Sequence, residues 1–372
     1  MSTSLLLGPG LVMVFMVGLC LVLYYLMPRF TRPDVYFAVT VPPEFRDSTE
    51  GWSILKRYRV EVTISSLAAL LIVLAGARIT SPNYQMFILL VGFLLQGVGV
   101  FFAYYRARGR VMPHAVAPAS VREAMLVPRQ ARLPGGWLLQ FPLFAILAGT
   151  GIWLNLHWDL IPETFPIHWG ANGQPNNWAT RSFSGVYGPL LMGAALCALM
   201  GFFAYALLRW SRPIRVGGAA GEGERRFRVL VASILVATQY FLALELMWVG
   251  LTPLAHQQAG PPGLGPVLVF VLAFAVAVVV LVMRYGQGGT RLAGVAASPT
   301  GATAPIGDRT PDKYWKLGLF YINRSDPALF VEKRFGIGYT LNFGHPGVWI
   351  FLALLLAVWV GVVLFTPSHH HP

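Results

Sequence analysis

The residues best suited to recognition lie in one short polar segment, Ile161–Trp178, between two apolar stretches. It is rich in Gly, Pro and Asn and carries almost no charge. A histidine can bind a metal or hydrogen-bond a ligand, and a tryptophan can stack on one. The alternatives are a histidine bonded within a tightly turned cap, and tryptophans that anchor the chain at the membrane interface. The candidate ligand-binding residues are His168, Trp169, Asn172 and Trp178.

A metal site is a weaker possibility on the same side of the chain. His157, His168 and His256, with Asp159 and Glu163, could form a histidine and carboxylate site suited to zinc. Their spacing matches no standard zinc motif. Walker A, GxSxG and HExxH motifs are also missing. We therefore predict no metal or other cofactor and assign no catalytic residue.

Glu245 lies inside an apolar run, Phe241–Trp248. At the helical rise it would lie about 12–15 Å below the membrane surface, where a charge costs about 2.5–3.5 kcal/mol or more unless paired or neutral. Arg78 is its predicted partner, in either a functional site or a structural ion pair; a protonated acid is the other alternative. Further amides could join a polar network or tie helices together: Gln96, Gln140, Asn155 and Gln239.

The elements that must position these residues are membrane helices. The composition is 56% hydrophobic and only 12% charged, with a mean hydropathy of +0.60, whereas soluble domains average about 25% charged residues. A span needs about 20 apolar residues. We predict an all-α integral membrane protein with eight transmembrane helices, at about 5–27, 61–79, 84–105, 137–157, 183–208, 229–254, 263–283 and 347–366.

The positions of the basic residues predict how these spans are oriented. All Lys and Arg except Arg78 and Arg181 fall into four alternate segments, 28–60, 106–136, 209–228 and 284–346. The positive-inside rule then places these segments in the cytoplasm and both termini outside, in a multi-pass protein of the bacterial inner membrane. The net charge of +13 would face anionic membrane lipids, so no nucleic-acid partner is implied.

The predicted organisation has four parts. Residues 1–283 form a seven-helix membrane domain with an outer loop at 158–182, 284–307 a flexible linker, 308–346 a small cytoplasmic β domain, and 347–372 the last helix and tail. Residues 209–228 also read as a flexible linker because of their glycines. The β domain is predicted to have three strands, within Leu317–Ile322, Ala328–Phe335 and Tyr339–Phe343.

Three stretches together resemble the SdpI-type bacterial membrane proteins. The segment Ile161–Trp178 is similar to that family's Ile-Pro-x-His-aromatic, Gly-x-Pro and aromatic pattern, although Asn176 stands where the family usually has Asp. Tyr36–Glu44, followed by Lys56–Arg59, looks like a companion stretch. Asp308–His345 is similar to a small carboxy-terminal domain of unknown function. The resemblance implies toxin immunity or envelope-stress sensing by binding, without known catalysis.

Three functions remain open from the sequence. The first is a binding or sensor protein whose outer loop recognises a peptide or toxin and whose β domain docks a cytoplasmic regulator through its exposed strands and Trp315. The second is a membrane enzyme that uses Glu245 with the outer histidines. The third is a structural subunit bound to other membrane proteins.

Overall fold

The computed structural model describes residues 9–76, 79, 82–117, 131–169, 175–212, 218–254, 264–291 and 310–365. The chain divides into two compact units, and each is described by itself. The first unit comprises Met1–Met125, Pro213–Arg225 and Val279–His345. The second unit comprises Leu126–Arg212, Arg226–Val278 and Pro346–Pro372.

Long apolar helices dominate the described residues. They are α1 (Pro9–Phe30), α2 (Thr49–Gly76), α3 (Pro82–Val111), α4 (Gly136–Leu156), α5 (Phe183–Trp210), α6 (Gly218–Leu251), α7 (Leu264–Tyr285) and α8 (Pro346–Phe365). Within the described ranges, seven are long and apolar enough to cross a membrane, while α8 contributes a shorter apolar stretch, Pro346–Ala357. The chain is thus a multi-pass membrane protein of mostly helical structure. The eighth span and the sidedness stay predictions.

Two helices begin earlier than the sequence predicted. α2 starts at Thr49 although its span was predicted from 61, and α6 starts at Gly218 inside a predicted flexible linker. The prediction of a linker was wrong for residues 218–228, because glycine weakens a helix by only about 1 kcal/mol per residue and packing can offset this. Gly223 lies against Gly289 so closely that a Cβ on the latter would fall 2.0 Å from a backbone oxygen.

In the first unit, α2 and α3 pack closely along a row of small residues. Gly99 of α3 faces Ser65, whose Oγ lies 2.3 Å from the position that a Cβ would take. Such close approach is how small residues bring membrane helices together. Gln96 adds polar ties, because its Nε2 donates to Ser66 Oγ at 3.0 Å and to Val17 O, in α1, at 3.1 Å.

A tight buried hairpin follows α1. Strands β1 (Val35–Tyr36) and β2 (Val39–Thr40) pair antiparallel, with Val35 opposite Thr40. The two turn residues, Phe37 and Ala38, both have positive φ, 44° and 61°. Residues with a Cβ adopt this conformation at a cost, so the surroundings must hold the turn in place.

The carboxy-terminal β segment, residues 310–345, belongs to the first unit. It contains β5 (Trp315–Lys316), β6 (Phe320–Tyr321), β7 (Phe330–Glu332) and β8 (Tyr339–Leu341). They form two separate hairpins, β5–β6 and β7–β8, linked by one parallel bridge between Tyr321 and Asn342. Each of the three predicted runs contains a strand, β6, β7 and β8, but β5 adds a fourth, and the strands pair as two hairpins rather than as one three-stranded unit. Gly318, at φ +73°, breaks the first run into a turn.

Asn342 joins the two hairpins. Its buried amide donates to the carbonyls of Asn323, Asp326 and Ala328 at 2.8–3.2 Å. Its Oδ1 accepts from the backbone N–H groups of Asn323 and Gly344 at 3.0 and 3.1 Å. One side chain thus contacts five backbone groups, with its two N–H bonds shared among three carbonyls.

Replacing this amide is expected to destabilise the segment. Asn342→Ala leaves several buried backbone groups without partners, at about 1–3 kcal/mol for each that water cannot reach. We expect the thermal unfolding midpoint of the full chain in mild detergent to fall by several degrees. Ser325→Ala, at an exposed position in the same loop, is the control and should not change it. An unchanged midpoint in Asn342→Ala would contradict this account.

Candidate functional site

The predicted outer loop is a β-hairpin between α4 and α5. Strands β3 (Thr164–Trp169) and β4 (Pro175–Thr180) pair antiparallel. Thr164 lies opposite Thr180, Phe165 opposite Ala179 and Pro166 opposite Trp178, after which the register shifts around His168. The sequence predicted an ordered segment here but not its strands, because Pro and Gly interrupt the alternating pattern.

One face of this hairpin is fixed to the second unit's core. Phe165 and Ala179 are both buried and pack with Ile161, Leu154 and Val186. Burying a side chain such as that of Phe165 contributes about 1.5–3 kcal/mol. The root of the hairpin is therefore rigid.

Arg181 locks the hairpin to the preceding turn. Its Nη1 donates to the carbonyl oxygens of Ile161 at 3.0 Å and Trp158 at 3.4 Å. Ser182 then caps α5 by accepting from Gly185 N at 3.2 Å. A Cβ on Gly185 would lie 2.3 Å from Thr180 O, so only glycine lets α5 start this close to β4.

The opposite face points away from that core. Side chains alternate along a strand, so Thr164, Pro166, Trp178 and Thr180 share this face. The half-buried Trp178 is its largest side chain on β4. A tryptophan held on a rigid strand offers a large apolar surface at low entropic cost.

Part of the edge of β4 is closed to further strands. The Trp178 N–H donates to Asn177 Oδ1 at 2.9 Å, and Thr180 O accepts from Ser182 N at 2.8 Å. In β3, Pro166 has no N–H to offer. Local partners of this kind blunt an exposed edge. Recognition at the hairpin would therefore use its outward face rather than strand addition.

The structure brings some of the predicted ligand-binding residues together. His168 lies opposite Asn177 and Trp169 opposite Pro175, next to the rung that carries Trp178. Asn172 lies outside the described residues. Three of the four predicted residues, His168, Trp169 and Trp178, thus lie on neighbouring rungs of one hairpin.

The weak metal candidates do not converge in the described part of the chain. His157 is the carboxy-terminal cap of α4. Its Nδ1 donates to Trp153 O at 2.9 Å, and the centres of the two rings are 4.1 Å apart. Asp159 and Glu163 are exposed, and His256 lies outside the described residues. Among the described residues, no group of three or more His, Cys, Asp or Glu is placed to hold a metal ion.

Glu245 is half-buried on α6 in the second unit. Its predicted partner, Arg78, lies outside the described residues, so their pairing stays a prediction. Within the described ranges, Glu245 has no hydrogen-bond or ion-pair partner.

The buried polar contacts of the second unit form around two glutamines instead. Gln140 and Gln239 exchange hydrogen bonds of 3.1 and 3.2 Å between α4 and α6. Gln239 Nε2 also donates to Cys197 O at 2.6 Å, and Cys197 Sγ donates to Gln239 O at 3.4 Å. Three helices are thereby tied together inside the apolar core.

The sequence missed a set of buried arginines in the first unit, where basic residues were interpreted only as determinants of topology. Arg108 Nη1 donates to Ala38 O at 2.7 Å. Arg334 donates to the same carbonyl at 3.3 Å and pairs with Asp312 at 2.5 Å. Arg32 pairs with Glu332 at 2.8 Å. Nothing in the local sequence distinguishes these arginines from exposed ones.

Burial also shifts two pKa values around this cluster. It raises the pKa of Tyr36 to about 12 and lowers the pKa of Arg46. Arg46 donates to Arg32 O at 3.0 Å. Tyr36 stays neutral at ordinary pH and donates its hydroxyl to Gly51 O at 3.0 Å. Both side chains thus hydrogen-bond backbone carbonyls within the first unit.

Two family models match parts of the chain. Residues 145–193 match a domain of unknown function, DUF1648, and residues 324–349 match a family of unknown function, DUF5808. The first covers the end of α4, the β3–β4 hairpin and the start of α5; the second covers β7, β8 and the start of α8. No curated protein and no solved structure matches the chain. Neither description assigns an activity.

The glutamine pair generates a prediction about coupling. Gln239→Leu and Gln140→Leu should each destabilise the chain by about 1–2 kcal/mol, because each leaves the other amide unpaired. The double variant should cost less than the sum, since it removes both partners. Thermal unfolding in mild detergent measures the loss of stability in the two single variants and the double variant.

Thr238→Val is the matched control, because its hydroxyl donates only within its own helix, to Ile234 O. It should be nearly neutral. Strictly additive effects of the two glutamine variants would show that the pair is not coupled.

Proposed function

We propose that this chain is a non-catalytic binding or sensor protein of the SdpI type in the bacterial inner membrane. The β3–β4 hairpin would recognise a peptide, toxin or envelope signal on the outer side. The carboxy-terminal β segment would dock a cytoplasmic partner. The observation that carries the proposal is the hairpin with a rigid root and an outward face centred on Trp178.

The chemistry of that face selects the class of ligand. Thr164, Pro166, Trp178 and Thr180 carry no charge, so the face suits an apolar or amphipathic peptide better than an ionic one. A buried tryptophan at the centre of an interface typically dominates binding, at about 2 kcal/mol or more. The rigid root would strengthen binding at this face, because little conformational entropy is lost when the hairpin binds a ligand.

The docking surface on the β segment differs from the one predicted. Trp315 was expected to be exposed, but it is buried, with its Nε1 donating to Thr310 Oγ1 at 2.8 Å and Arg334 over its ring. The exposed apolar side chains are those of Leu317, Phe320 and Ile322 instead. Three such neighbours on one small hairpin would form the contact for a cytoplasmic regulator.

Trp178→Ala tests the outward face. The substitution removes the central apolar contact but leaves Phe165 and Ala179 to hold the root. We expect the outer partner to bind at least about thirtyfold more weakly. Affinity purification from native membranes in mild detergent, with quantitative mass spectrometry, measures the loss. His168→Ala/Trp178→Ala should reduce recovery at least as far.

Trp137→Ala is the matched control. Trp137 lies at the opposite end of α4 and is 82% exposed, so its loss changes aromatic surface without touching the hairpin. A partner recovered equally with all variants would argue for a structural subunit. Recovery of no partner from any membrane preparation would remove the support for a binding role.

A further inference from the structure

A groove of about 620 Å³ runs along one face of α2 and is closed on one side by Tyr25 of α1. Its α2 residues recur at helical spacing from Thr49 to Ile64, a length of about 22 Å at 1.5 Å per residue. The residues that matter for its chemistry are Tyr25, Trp52, Lys56, Arg59, Val60 and Ile64. The groove lies wholly within the first unit.

The groove carries positive charge that nothing described neutralises. Lys56 is exposed and has no ion-pair partner among the described residues. Arg59 lies with its Cζ 4.6 Å from the Tyr25 ring centre, and its Nε and Nη2 are buried without a hydrogen-bond partner. Leaving such donors unmet is costly, so an acceptor is expected to complete the site.

Basic side chains also lie at the neighbouring face of α2, but these have an acidic partner. Arg57 and Arg106 both pair with Glu61, at 3.3 and 2.8 Å. Glu61 therefore offsets the charge of one of these two arginines, whereas no acid lines the groove. The unbalanced charge of Lys56 and Arg59 is complementary to an anion.

The groove is also divided in polarity along its length. Thr49, Ser53 and Lys56 lie toward the start of α2, and Val60 and Ile64 lie one to two turns further into its apolar part. Trp52 and Tyr25 are the kind of side chain found at headgroup level. This sequence of polar, cationic and apolar surface matches an amphiphile, with a headgroup beside Lys56 and Arg59 and an acyl chain beside Val60.

We propose that this groove binds an anionic phospholipid, with the headgroup phosphate accepting from Lys56 Nζ and lying beside the Arg59 guanidinium. The sidedness predicted from the basic residues places the start of α2 at the cytoplasmic leaflet, where anionic headgroups attract basic side chains. The site is separate from the β3–β4 hairpin and does not depend on the function proposed for it.

Native mass spectrometry of the full chain in mild detergent tests the site. The chain is titrated with phosphatidylglycerol or phosphatidylcholine of the same acyl composition. We expect phosphatidylglycerol to bind at least about tenfold more tightly, because its headgroup is a net anion, whereas the quaternary ammonium of phosphatidylcholine offsets the phosphate charge and is repelled by Lys56 and Arg59. Lys56→Gln/Arg59→Gln should reduce this preference to within about twofold.

Two further variants make the result specific. Lys316→Gln/Arg324→Gln removes the same charge at two exposed positions of the β segment and should keep the preference. Lys56→Gln alone, at an exposed position that folding does not need, should weaken phosphatidylglycerol binding severalfold. This single variant tests the site if the double variant fails to fold.

Two outcomes would overturn the proposal. One is equal binding of the two lipids to the unmodified chain, or an equal loss of preference in both double variants. The other is displacement of phosphatidylglycerol by millimolar inorganic phosphate, which would assign the groove to a soluble anion.

Discussion

The first unit depends on how the carbonyl oxygen of Ala38 is held. This residue lies in a buried turn at positive φ, and its carbonyl accepts from Arg108 of α3 and Arg334 of the β segment. A buried carbonyl without a donor is costly, and so is a buried guanidinium without an acceptor. Each group therefore requires the other, and three distant parts of the chain must meet at this point.

The surrounding aromatic rings complete this junction. Phe37, the other turn residue, packs against Tyr58 at 5.0 Å and Phe335 at 5.8 Å between ring centres, and Tyr104 lies 4.5 Å from Phe335. These rings come from the turn, α2, α3 and the β segment. They exclude water from the arginine hydrogen bonds, which strengthens those bonds. The carboxy-terminal segment is thus part of the same core as α1–α3.

The sequence predicted the helices well because their signal is local. Long apolar runs require a membrane environment wherever they occur, and seven such runs correspond to helices of sufficient length. It also singled out the segment around His168 and Trp178 through its turn formers. It failed where the outcome depends on distant partners: Trp315 was expected at the surface but is buried under Arg334, and Gly218–Arg228 were read as a linker but continue a helix.

The environments of the basic residues show most clearly that distant partners cannot be predicted from the local sequence. By sequence, Arg57, Arg59 and Arg108 are equivalent cations close to the ends of apolar runs. In the structure, Arg57 pairs with Glu61, Arg108 donates to turn carbonyls and Arg59 lies beside Tyr25 with two buried donors unmet.

These three environments have different consequences for the net charge of +13. A cation bonded to a carbonyl stabilises the fold but still adds its charge to the total. A cation and an acid that pair one to one cancel, whereas Glu61 is shared by Arg57 and Arg106 and offsets only one of them. Only a cation that is both uncompensated and accessible can attract an anion from outside the chain, so the pairing of each basic residue, rather than their number, decides which cations are available to an anion.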